Sequence, residues 1–260
     1  MLISILGVGL WALFQMGWLR FYPLEAHAML MTCGFLLAYI SGFLMTAVPK
    51  MSGTKAASLL EISIGLMLLW IQVVVSLRNQ RLAMTGIAVF QILFLIYFVA
   101  RRFFNRTANP PPSLVFLPFA LLGAFLGVGI LHANAHGIEF DVRWLGLAKI
   151  LVFQGLVLNL ILGLGSRLIP ALCRIPGAVG IRGSISESKW IYFLMAVVLN
   201  FGFVVEAWHS VQWGNGIKFF AVAVISIWKF KVFLPMPRIG YLGAGIRGAV
   251  LFLAAGFLGS

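Results

Sequence analysis

The chain has 260 residues, 62% of them hydrophobic and 10% charged, with a formal net charge of +13. A soluble domain is about 45–50% apolar and roughly 25% charged, and a single core at this length has no room for the excess. Composition therefore excludes a water-soluble enzyme. It also excludes a nucleic-acid-binding protein, because the basic residues fall in short breaks between apolar runs.

Nine apolar runs follow along the chain, each near the ~20 residues a helix needs to cross a bilayer. They are about Leu2–Leu19, Ala26–Val48, Ala57–Leu77, Leu82–Ala100, Leu114–Asn134, Trp144–Gly165, Trp190–His209, Gly216–Leu234 and Ile239–Leu258. Pro49 closes the second. Arg101, Arg102, Arg106 and Pro110–Pro112 separate the fourth from the fifth. The eighth is shortened by Lys229 and Lys231. Runs of this length in lipid are helices, since an open strand would leave its backbone unbonded. The expected fold is all-α: a polytopic transmembrane helical bundle of about nine spans (seven to nine), forming one integral membrane domain over residues 1–260. Residues 166–189 are expected to form a cytoplasmic basic loop. The first run has no basic flank and no small-residue cleavage site, so it reads as a retained span.

Loop charge sets the expected orientation. The even-numbered loops hold twelve Lys and Arg, the odd-numbered loops five: Arg20, Arg78, Arg81, Arg143 and Lys218. Positive residues stay inside, so the even loops and the N-terminus are placed in the cytoplasm and the C-terminus outside. Cys33 and Cys173 then lie toward opposite faces, which argues against a disulfide between them.

This topology puts all four histidines at the outer side: His27 opening the second helix, His132 and His136 closing the fifth, and His209 closing the seventh. Glu25, Glu139, Asp141 and Glu206 lie at the same level, whereas Glu61 and Glu187 are inner. His132 and His136 share a helix face at i,i+4, as do His27 and Met31; Glu206 and His209 share one at i,i+3. Imidazole is the commonest metal ligand and an axial haem ligand. The plain alternative for each histidine is a helix end resting at the water interface, and for Met31 simple packing. Arg247 lies about nine residues past Arg238, roughly 13 Å deep at 1.5 Å per residue, and should face a partner inside the bundle. Lys149 is similar but could snorkel. Either cation suits a haem propionate, a carboxylate or a polar neighbour such as Asn159 or Asn200. Gly34, Gly42, Gly123, Gly127 and Gly129 are expected to allow close helix packing.

Two stretches carry a family resemblance. One is His27-Ala28-Met29-Leu30 followed by Ile40-Ser41-Gly42-Phe43-Leu44-Met45-Thr46-Ala47-Val48-Pro49 and Lys50-Met51-Ser52-Gly53. The other is Gly165-Ser166-Arg167-Leu168-Ile169-Pro170-Ala171, with a fainter match at Trp228–Arg238 and Gly240-Tyr241. In order and spacing they resemble the NnrS family of bacterial inner-membrane proteins. Where that family reads W-H-A-H-E-M, this chain keeps the first histidine as His27 but has Met29 in place of the second histidine and Leu30 in place of the glutamate. Family members are also longer and carry further histidine-bearing helices.

The resemblance implies a bacterial inner-membrane protein associated with haem and copper, linked to nitric oxide response and denitrification. A haem b held near the outer face is expected, with His27 as one axial ligand and His132, His136 or His209 as the other, His132 being favoured. Arg247 and Lys149 are the candidate propionate partners. Copper ligands are sought among His27, His132, His209, Glu206 and Met31. The expected partners are the lipid bilayer, nitric oxide or a metal nitrosyl, and respiratory or denitrification proteins. Whether the protein turns over a substrate is open. The competing reading is a membrane transporter, or a metal or cofactor assembly factor, without bound haem.

Overall fold

The computed structural model describes residues 2–173, 185–230 and 241–257. The described residues form nine helices, which coincide with the nine apolar runs, and contain no strand. α1 is Leu2–Gln15. α2 spans Leu24–Ser52 and contains a π-helical segment, Leu30–Leu36. α3 is Leu59–Leu77, α4 is Arg81–Phe104 and α5 is Pro112–Ala135. α6 covers 142–172, with a π-helical segment at Leu151–Gly155. α7 is Ile185–Trp208. α8 is Val211–Ile225 and runs on into a π-helical segment, Ser226–Phe230. α9 is Tyr241–Ala255.

Six of these helices, α2 to α7, are long and apolar enough to cross a membrane. α1 has 14 residues, and α8 buries a lysine in its middle, so length or charge keeps them from the same standing. Helix α6 continues through Ser166–Leu172 and α7 begins at Ile185, so the expected loop at 166–189 is helical at both ends. Its Arg174 and Arg182, together with Lys231 and Arg238, lie outside the described residues. Both cysteines are buried free thiols.

The chain divides into two compact units. The first comprises Met1–Pro110 and Phe125–Phe140; the second comprises Pro111–Ala124 and Asp141–Ser260. In the first unit, α3 and α4 run antiparallel. Their register is fixed where a Cβ on Gly65 would touch Met45 and Phe94, and where Glu61 meets Arg102. Ser58 and Glu61 form a capping box that starts α3. Glu61 also receives both terminal nitrogens of Arg102, at 3.0 and 2.9 Å, and the Arg102 guanidinium lies 3.5 Å from the Phe98 ring centroid. Exposed Leu59, Leu60, Leu66, Met67, Trp70 and Val74 give α3 an apolar outer surface suited to lipid.

The Pro49–Gly53 motif has a structural reason in this unit. Gly53 ends α2 at φ 69°, a left-handed conformation that favours glycine, and it closes on Thr107. Thr107 Oγ1 donates to the Gly53 carbonyl at 2.8 Å, and the Thr107 and Ala108 amides donate to the Ser52 carbonyl. The motif thus ties the end of α2 to the stretch after α4.

In the second unit a core of Phe116, Leu162, Tyr192, Leu199, Phe203, Ile225 and Phe230 joins α5 to α9. The second motif serves this core: Gly165 leaves room for the Phe230 ring, which a Cβ would meet at 3.3 Å. Asn159 and Asn200 exchange amide hydrogen bonds between α6 and α7, each also donating to its own helix backbone. They are thus partners of each other. Of the glycines expected to pack helices, Gly34 meets Ile3 of α1 and Gly123 meets Leu151, but Gly42 and Gly129 have nothing within 4 Å.

Candidate functional site

Three helix ends of the first unit meet at Arg81. Its Nη2 donates to Asn134 at the end of α5 at 3.0 Å, and its Nε lies 3.6 Å from Glu25 at the start of α2. Both groups of the ion pair are about half exposed, so it contributes placement more than stability. Asn134 in turn donates to the Ile138 carbonyl, which holds the turn after α5.

His132 sits at this end, partly buried, on α5. Its Nδ1 is 3.0 Å from Thr85 Oγ1 on α4. The threonine hydroxyl has one proton, and that proton is directed at its own helix carbonyls, Arg81 at 3.0 Å or Leu82 at 3.1 Å. With that proton so placed, the oxygen accepts from the imidazole in the tautomer that carries a proton on Nδ1. Gly86 makes this contact close: a Cβ there would lie 3.2 Å from His132 Cε1. The exposed His136 ring stands edge-on to His132, with centroids 4.7 Å apart.

His27 reaches the same protonation pattern through a different partner. Its Nδ1 lies 2.8 Å from the Gly7 carbonyl of α1, and a carbonyl can only accept. Nδ1 is again the donor and Nε2 is left basic. Trp11, one turn along α1, packs edge-on to the ring at 5.8 Å. Met31 lies against Gly7 as well; a Cβ on Gly7 would strike its sulfur at 2.5 Å. His27 and Met31 thus both close on one residue of α1, Gly7.

The other expected site residues lie in the second unit. Glu206 does not join His209. Its carboxylate pairs with Lys218 Nζ at 2.6 Å, while His209 is exposed just beyond α7. Lys218, assigned from sequence to an outer loop, is instead within α8 and 1% exposed. The reason is its acceptors: besides Glu206 it donates to Gln154 Oε1 at 3.1 Å, and it lies 5.6 and 5.1 Å from the Phe203 and Phe257 ring centroids. Gln154 comes from the π-helical segment of α6. Lys149 is exposed. Arg247 is partly buried in α9, where its charge opposes the upward push that burial gives the Cys173 thiol. Among the described residues, no three His, Cys, Asp or Glu side chains gather as metal ligands.

Sequence reasoning missed Thr85, Gly86 and Gly7, because a hydroxyl, a glycine or a carbonyl carries no signal until its partner helix is placed. It also missed the Lys218–Glu206 pair. A signal existed there: two charges twelve residues apart across a short helical hairpin, with Gly202 and Gly214 between them or flanking them.

The NnrS protein family model matches residues 1–259. The chain belongs to the NnrS family. Neither a curated protein nor a solved structure matches it. Family membership and the six long apolar helices together make it a multi-pass membrane protein.

Proposed function

We propose that this NnrS protein is a haem b protein of a bacterial inner membrane that binds a diatomic ligand such as nitric oxide and acts in nitric oxide response or denitrification. The observation that carries the reading is the shared state of His27 and His132. Each commits Nδ1–H to an oxygen acceptor, Gly7 or Thr85, and each leaves Nε2 unbonded among the described residues. Ligating histidines are held in this way, because the second hydrogen bond fixes the tautomer and raises the basicity of the ligating nitrogen. The donor set fits haem, which asks one or two imidazoles of the protein. It fits a three-ligand copper site less well, since no such cluster gathers among the described residues. Copper would fall to the soft pair His27 and Met31, which converge on Gly7.

The bound haem iron would supply the affinity for the diatomic ligand. The chain's own residues would orient it: Thr85 and Gly7 aim the imidazoles, Gly86 lets the His132 ring sit against α4, and Arg81 keeps the three helix ends together. Lys149 and Arg247 are on the second unit. We further propose that the histidine end of the first unit faces outward, with the N-terminus in the cytoplasm and about nine spans in all, on the charge of the loops.

The test is an absorption spectrum of the detergent-purified protein, oxidised and dithionite-reduced, with a pyridine haemochrome assay. The reading expects about one haem per chain, with a Soret band shifted or lost in His27→Ala and in His132→Ala. Absence of haem from cells well supplied with it refutes the reading. The buried Lys218–Glu206–Gln154 cluster favours a second reading, a transporter of a small ion, which expects no haem and a flux lost in Glu206→Gln.

A further inference from the structure

The packed face of α4 carries Met84, Thr85, Ala88, Gln91, Ile92, Leu95 and Phe98. Gln91 is out of character there. It is 3% exposed, and neither its amide nitrogen nor its oxygen has a hydrogen-bond partner among the described residues. A carboxamide has two N–H donors and an oxygen with two lone pairs, and a bare one in an apolar interior is expensive. Native structures satisfy such groups, with ordered water where no protein group reaches.

A second glutamine lies at the same depth. Gln72 of α3 is fully buried; its nitrogen donates to Ser76 Oγ at 3.3 Å, and its oxygen has no partner. The two contacts that fix the antiparallel register, Gly65 with Phe94 and Glu61 with Arg102, place Gln72 level with residues 87–91 of α4. Gly65 also meets Met45, which sets the π-helical segment of α2 level with the last turns of α3, just beyond Gln72. π-Helical turns recur at functional sites. Thr85, which holds His132, is six residues from Gln91, roughly 9 Å along the helix.

We propose that Gln91 and Gln72 hold buried water between α3 and α4, a hydrogen-bonding site below the His132–Thr85 pair in an otherwise apolar span. Water is the small neutral ligand that both donates and accepts, which is what the two bare amide groups together require. The site supplies the histidine end with a polar neighbour from within the first unit. It stands on the geometry of α3 and α4 alone and does not depend on haem.

The test is solid-state NMR of protein labelled with 15N at glutamine and held in lipid nanodiscs. The side-chain amide signals of Gln91 are those lost in Gln91→Leu, or in Gln91→Asn should the leucine variant not fold. A water cross-peak to the Gln91 amide, reduced at least twofold in Gln72→Leu, is the expected result. A Gln91 amide with no water cross-peak overturns the site. A cross-peak unchanged in Gln72→Leu overturns the sharing of water between the two glutamines.

Discussion

Replacing Lys218 with methionine removes one charge of a pair that the second unit has taken almost entirely out of water. The lysine is 1% exposed, the Glu206 side chain 11%, and their N–O distance is 2.6 Å. Breaking a buried pair from one side costs about 3–5 kcal/mol, chiefly because the remaining charge stays buried. Glu206 lies within a turn of the end of α7 and can regain some water, which sets the expected loss for Lys218→Met near the lower figure, about 3 kcal/mol. Glu206→Gln leaves the ammonium with two amide oxygens and two aromatic rings, and should cost about 2–3 kcal/mol. The double variant Lys218→Met/Glu206→Gln strands only neutral groups and should cost about 1–2 kcal/mol. The singles sum to well above the double, so the coupling should be at least about 2 kcal/mol. Reversible unfolding in mixed detergent, followed by tryptophan fluorescence, measures all four proteins, since Trp144 and Trp208 pack 4.8 Å apart in this unit. Additive single effects, or a Lys218→Met protein as stable as the parent, would refute the argument.

Glycine positions give paired tests. Gly214→Ala would drive a Cβ into the Glu206 backbone at 2.7 Å and should destabilise by about 1–3 kcal/mol, whereas Gly216→Ala, two residues on in open space, should be neutral or stabilising by about 0.5–1 kcal/mol in the same unfolding assay. Gly53→Ala meets a left-handed φ and Thr107 together, and should lower stability by at least about 1–2 kcal/mol. Thr85→Val removes the acceptor of His132 Nδ1. If His132 is a ligand, haem affinity should fall about 10–100-fold in a titration of the apoprotein. Gly86→Ala displaces the His132 ring and should shift the Soret band, and a spectrum identical to the parent's would argue against His132 as ligand.

The all-helical class and the apolar helices were legible, because apolar run length is set by the bilayer and needs no tertiary knowledge. What failed were the charged residues near helix ends. Lys218 read as a loop cation because composition cannot see that Glu206 and Gln154 wait on neighbouring helices. The loop at 166–189 read as basic and irregular, although Leu168 and Ile169 continue the apolar pattern that carries α6 on to Leu172. At the site, the His132–His136 contact followed from helical spacing alone, while His27 and Met31 meet α1 at Gly7, which spacing could not name. Glu206 with His209 did not, since i,i+3 spacing permits a contact but the ammonium of Lys218 reaches the carboxylate from α8. Arg247 and Lys149 were singled out by depth, which says that a charge needs a partner but not which one.

The Lys218 cluster of the second unit and the two histidines of the first handle their polar groups in opposite ways, and that contrast bears on the proposed site. In the second unit the Lys218 ammonium donates to Glu206 and Gln154 and faces two rings. A ligand arriving there would have to displace a 2.6 Å ion pair, so the cluster serves the α7–α8 hairpin first. In the first unit the two imidazoles are fixed by one nitrogen each, through neutral acceptors that leave the second nitrogen basic. Fixing a ring without consuming its lone pair contributes little that an apolar side chain could not, yet it is what a metal-binding group needs. Thr85 and Gly86 are adjacent on α4 and both serve the same ring, one as acceptor and one by having no side chain. A purely interfacial histidine has no use for either, and their conjunction at His132 is what supports the proposal that the first unit receives a ligand.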